Sequence, residues 1–354
     1  MTTRRQTIRS LAGGGLLLPG LLSEMMHANP RAPHFPAKAK RVIFLFMTGG
    51  VCHVDTFDPK PSLDRWHGKE IPIHHNTERK TGAAWRSPFK FKKHGQSGIE
   101  VSELFEKTAA CVDDLCVIRS MKADVPNHEP SLLLMNCGEA RQVRPSFGSW
   151  VTYGLGSENA DLPAYVVLVS GPLAGAGTSL WGPGFLPSVH QGVQFRSSGE
   201  PVLFLRNPEG HGTADRRRVL DTLRTLNEAQ LADVGDPEIS TRISQYELAF
   251  RMQESVPELM DISREPAPVL EAYGATPGDS SFANNCLLAR RLLEKGVRFV
   301  QLFDWGWDFH GTRAAEDIRG GLTRKMAQTD KPVAALIRDL RARGLLDDTL
   351  VVWG

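Results

Sequence analysis

The chain has 354 residues, 41% hydrophobic and 23% charged, with a formal net charge of +2. That is enough chain, in an ordinary globular balance, for one large α/β domain or two smaller ones. The near-neutral charge and the lack of a dense Lys/Arg stripe with interleaved aromatics argue against nucleic acid as a partner.

The first residues do not read as part of the fold. Arg4 and Arg5 precede a short apolar stretch, Leu11 to Leu22, the pattern of a twin-arginine export signal over 1–28. A Pro-rich linker, 29–40, follows. The stretch is too short and too glycine-rich for a good membrane span. The mature chain is therefore expected to lie in the periplasm or outside the cell, with no transmembrane segment. Five cysteines (Cys52, Cys111, Cys116, Cys137, Cys286) stand singly, which argues against a disulfide framework and a structural zinc site.

In chain order, Arg41–Met47 is almost wholly apolar, as a strand buried on both faces would be. It ends in Thr48-Gly49-Gly50, a turn permissive enough for close backbone approach. Asp58–Asn76 and the basic segment Lys90–Lys93 read as loop and surface. Ser102–Ala110 predicts a helix, Leu115–Ser120 a strand, and a further helix starts near Pro130. Pro163–Ser170 is another buried strand. Gly171–Arg206 is rich in Gly, Pro and Ser and reads as irregular, and Asp215–Glu265 is charged and helical. Phe282–Lys295 is an amphipathic helix stopped by Gly296. Val297–Phe303 is a strand, a helix runs on to about Arg343, and Leu350–Gly354 begins a last strand. The alternation predicts an α/β fold over 41–354: a mainly parallel sheet flanked by helices on both faces, with an insertion at about 171–265.

Four clusters carry candidate chemistry. His53 and Asp55 follow the first strand and suit a shared metal ion or a phosphate-like anion; equally, such a loop satisfies its own backbone groups. His128 falls at a helix start because Pro130 suits a first turn. The free amides there favour an anion, with Ser131 close by; a capping segment is the plainer alternative. Asp304, Asp308 and His310 follow a strand and suit zinc, calcium or manganese. Arg144, in Arg-Pro-Ser-Phe-Gly-Ser-Trp, could hold a sulfate or phosphate, although a structural role fits it better. No Gly-x-Ser-x-Gly elbow, Walker loop, HExxH or dinucleotide fingerprint is present.

Several of these segments together resemble one family. They are the twin-arginine leader, Phe44-Leu-Phe-Met-Thr-Gly-Gly-x-x-His-x-Asp-Thr-Phe-Asp-Pro-Lys60, Asn127-His-Glu-Pro130, Arg144-Pro-Ser-x-Gly-Ser-Trp150, Cys286-Leu-Leu-Ala-Arg-Arg-Leu292 and Gly306-Trp-Asp-x-His-Gly311. The chain is similar over nearly all its length to the exported bacterial domain-of-unknown-function 1501 family, thought to branch from the alkaline phosphatase and sulfatase superfamily. The resemblance implies metal-assisted hydrolysis of phosphate or sulfate esters on a parallel-sheet fold.

Departures from the sulfatase pattern accompany it. Sulfatases carry Cys-x-Pro-Ser-Arg, the cysteine becoming formylglycine, with Thr-Gly following. Here His128-Glu-Pro-Ser131-Leu132 precedes Cys137-Gly138 at the same spacing, so the nucleophile position holds His128 and the arginine is Leu132. Thr48-Gly49-Gly50 stands where sulfatases end strand one with an Asp-Asp metal pair. Gly344–Gly354 resembles the sulfatase stretch that leads into a metal-binding Ser-Asp-His-Gly loop, which implies that the sequence stops short of that loop.

The expectation is a divalent-metal-dependent hydrolase-like protein. Asp308, His310, Asp304, His53 and Asp55 are candidate ligands, and His128, Thr48 and Ser131 candidate catalytic groups; His128 could be ligand, base or nucleophile. A small-molecule or glycan ester would be the substrate. The alternative is a non-catalytic exported binding protein on a degenerate fold. Metal identity and oligomeric state are not legible.

Overall fold

The computed structural model describes residues 35–72, 81–141, 144–173, 175–311 and 313–354. The expected leader at 1–28 and residues 29–34 of the linker lie outside that set. Five strands form the main sheet: β1 (Arg41–Thr48), β4 (Tyr165–Ser170), β5 (Val193–Phe195), β6 (Phe299–Trp305) and β7 (Thr349–Trp353). Their order is β5-β4-β6-β1-β7, and every pairing is parallel. A separate antiparallel hairpin pairs β2 (Phe91–His94) with β3 (Ile99–Ser102).

Among the described residues the α-helices are α1 (Ser62–Trp66), α2 (His128–Cys137), α3 (Phe147–Leu155), α4 (Thr213–Val234), α5 (Pro237–Met260), α6 (Ala267–Tyr273), α7 (Phe282–Glu294) and α8 (Ile318–Ala342). Alternation along β1 divides the core in two. Ile43, Leu45 and Met47 join the larger cluster with Leu287, Leu288 and Leu336, from α7 and α8. Val42, Phe44 and Phe46 join the smaller one with Leu132 of α2 and Trp181. The sheet is thus covered on both faces, which is why its strands read as continuous apolar runs. Burial of Ile43, Leu45, Leu168 and Leu302, all at 0% exposure, contributes about 1.5–3 kcal/mol each.

Some expectations fail for local reasons. No strand forms over Leu115–Ser120, because a 3-10 run at Thr108–Asp114 leads into chain with no sheet neighbour. Ser102–Ala110 is not one helix. Ser102 closes β3 and caps a short 3-10 turn by accepting from Leu104 N. Asp330 of α8 then takes the Lys107 and Thr108 amides at 2.7 and 2.8 Å. Lys90–Lys93 is mostly β2 rather than loop, and Asp58–Asn76 holds α1. The irregular Gly171–Arg206 segment contributes β5 to the sheet edge.

One buried polar chain fixes α2 against the sheet. The Tyr165 hydroxyl donates to Gln301, Gln301 Nε2 to Asn136 Oδ1 at 2.6 Å, and Asn136 Nδ2 to the Leu132 carbonyl at 2.8 Å. All three side-chain partners are at most 2% exposed, so each bond is costly to leave unmade.

Candidate functional site

In a parallel sheet the carboxyl ends of the strands share one edge, where loops converge. β1 ends there in Thr48-Gly49-Gly50, β4 in Ser170-Gly171, and β6 runs into the 304–311 loop. These tips touch. The Trp307 amide donates to the Thr48 carbonyl at 3.1 Å, and a Cβ on Gly171 would stand 2.9 Å from Cβ of Trp305.

Asp308, in that loop, is bracketed by two imidazoles. Its Oδ2 lies 3.1 Å from His128 Nε2 and 3.0 Å from His310 Nε2. His128 is the first residue of α2, placed as Pro130 and the extended Asn127 dictate. The fixed packing of α2 therefore brings in an imidazole from 180 residues away. The three side chains remain 45–70% exposed, open to a ligand.

Asp304, only 2% exposed, is occupied from within. It accepts from Ser170 Oγ at 2.7 Å, from Trp307 Nε1 at 2.8 Å and from Lys325 Nζ at 2.6 Å. Lys325 also stands 5.7 Å above the Trp307 ring. These partners were not singled out from sequence. A signal for Lys325 exists, since it interrupts the buried α8 face of Leu322, Met326 and Thr329.

Asp55 sits on a 3-10 turn at His53–Asp55. Its Oδ2 accepts from the Cys52 thiol at 2.9 Å, and its buried Oδ1 takes no hydrogen-bond partner. Burial, reinforced by that carboxylate, pushes the Cys52 thiol up to about 12, so Cys52 is an inert thiol. His53 is exposed. Thr48 is 4% exposed, and the Ser131 hydroxyl donates to the Val125 carbonyl at 2.7 Å. Among the described residues, no hydrogen bond or ion pair links the side chains of Thr48, His53, Asp55 or Ser131 to the Asp308 cluster.

For a metal, the donor set of Asp308 and two imidazoles is chemically suited to zinc or manganese. As arranged, however, no group of three or more His, Cys, Asp or Glu among the described residues is placed to hold an ion. No described helix is long and apolar enough to cross a membrane.

Fold and site together define an α/β protein with a parallel sheet and a His-Asp-His cluster at its carboxyl edge. The chain belongs to the family described as protein of unknown function (DUF1501), which matches residues 39–354. No curated protein and no solved structure matches it.

Proposed function

We propose that this is an exported, divalent-metal-dependent hydrolase-like protein of the alkaline phosphatase and sulfatase type, acting on phosphate or sulfate esters. The observation that carries the reading is Asp308 Oδ2 standing 3.1 and 3.0 Å from two imidazole nitrogens of separate elements. Adjacent donors on one small cation, bound at about 2.0–2.2 Å, are separated by roughly that much. Asp308, His310 and His128 would hold the ion, which would supply Lewis-acid polarisation of the ester oxygen. The partnerless Asp55 Oδ1 is a further acceptor for a cation. His128 stands at the start of α2, where the first-turn amides would favour an oxyanion. Asp304, tied to Ser170, Trp307 and Lys325, would position the loop rather than ligate.

The test is metal content together with hydrolysis of p-nitrophenyl phosphate and p-nitrophenyl sulfate by the purified protein. Stoichiometric metal and turnover, both lost in His310→Ala, support the reading; a metal-free, inert protein sinks it. A second reading, a non-catalytic exported binding protein, draws on the candidate hydroxyls. Thr48 is buried and Ser131 is committed to Val125 O. It expects saturable binding of the ester with no turnover.

A further inference from the structure

A concavity lies on the same sheet edge. The chain leaves β5 at Phe195, and because β5 runs parallel to β4 and β6, the loop that follows emerges on the edge that carries Asp304. It is two strand spacings away, roughly 10 Å. That loop and the end of α5 enclose a cavity of about 470 Å³, lined in part by Arg196, Ser197, Leu205, Met260 and Ile262. Such a volume suits a small organic ligand.

The charged lining residues balance in number, Arg196 and Arg206 against Glu200 and Asp261, but not in pairing. Glu200 is taken by Arg206 at 3.7 Å. Asp261 accepts from Ser263 at the start of the next turn and pairs with Arg264 at 3.6 Å. Arg196 has no hydrogen-bond or ion-pair partner for its guanidinium among the described residues, so it is the lining charge left unpaired. Ser197, also in the lining, leaves its Oγ without a partner. Leu205, Met260 and Ile262 supply an apolar wall.

The loop is also held under strain. Phe204 sits at φ 60, the only non-glycine at positive φ among the described residues, a conformation costing about 1–2 kcal/mol. Gln253 of α5 pins the loop from below, donating to the Leu205 carbonyl at 2.5 Å and to Asn207 Oδ1 at 2.8 Å. The outcome is an 89% exposed phenyl ring next in sequence to Leu205 of the lining. Strain of this kind collects at ligand clamps.

We infer that this cavity binds a small organic anion: a carboxylate head paired with Arg196, and an apolar body laid against Leu205, Met260 and Ile262. The inference stands on the cavity and not on the hydrolase reading. Titration of the full chain, labelled with 13C-methyl methionine, tests it, with Met260→Leu assigning the reporter resonance. Octanoate should shift the Met260 methyl saturably, and octan-1-ol should bind about tenfold more weakly for want of the charge-assisted pair. Arg196→Ala should weaken octanoate about tenfold and leave octanol unchanged. The idea is overturned by an unsaturated or absent Met260 shift with octanoate, by equal affinity for octanol, or by an Arg196→Ala variant that binds octanoate as the parent does.

Discussion

A Cβ built on Gly49 would stand 2.7 Å from the backbone nitrogen of Asp308. The first strand's turn is therefore the floor on which the loop carrying Asp308 and His310 rests. Gly49 also has φ +113, a region closed to side chains. Gly49→Ala is expected to cost about 1–3 kcal/mol and to disturb Asp308. Gly50→Ala, at φ +90 with nothing within 4 Å, should cost less. Urea unfolding of both variants, compared with ligand or metal affinity, checks this; equal losses would mean that the close approach does not matter.

Removing the exposed cluster should behave differently. Asp308→Ala and His128→Ala delete side chains 45% and 60% exposed, and such changes alter stability by roughly 0.5 kcal/mol or less. Metal or ester binding should drop in both while the melting temperature of the ligand-free protein holds. A large fall in melting temperature would recast the cluster as structural.

Lys325→Met takes the cation away from Asp304, whose side chain is 3% exposed. Losing one partner of a buried pair costs about 3–5 kcal/mol. The surviving donors Ser170 and Trp307 should keep the loss near the lower end. Lys325→Met together with Asp304→Asn should recover part of it, and a denaturation double-mutant cycle reads the coupling.

Glu265 sets an acid limit. Burial pushes its carboxyl up, but hydrogen bonds from Arg290 and Arg291 outweigh that and hold it below its ordinary value of 4.5. A lowered folded value means stability that is present above about 4.5 and is lost as pH falls through the folded value. Urea midpoints measured from pH 7 to pH 3 should fall more steeply for the parent than for Glu265→Gln. Parallel curves would remove Glu265 from the explanation.

What the sequence made legible follows from burial. β1, β4, β6 and β7 announce themselves because both faces are apolar. The apolar run begins two residues ahead of β6, since Val297 belongs to the turn in which its amide bonds the Leu292 carbonyl. β5 stayed hidden, because three residues in a Gly/Pro-rich stretch carry no period. At the site, Asp308 and His310 share one loop and are readable from spacing. That His128 joins them depends on α2's docking through Asn136 and Gln301, a long-range packing fact with no local signature. The partners of Asp304 were missed for the same reason, since Ser170 and Lys325 lie 134 and 21 residues away.

The central position of β1 also bears on how the chain is made. Beside β1, Arg41 pairs with Asp348, 307 residues on, and Lys40 O accepts from Arg298, 258 residues on. On a ribosome this strand emerges more than 250 residues ahead of both its neighbours. At about 5–20 residues per second, its apolar flanks wait many seconds for cover. Folding must then close very long loops, so it is expected to be slow. A nascent chain arrested before β6 should be protease-sensitive along β1.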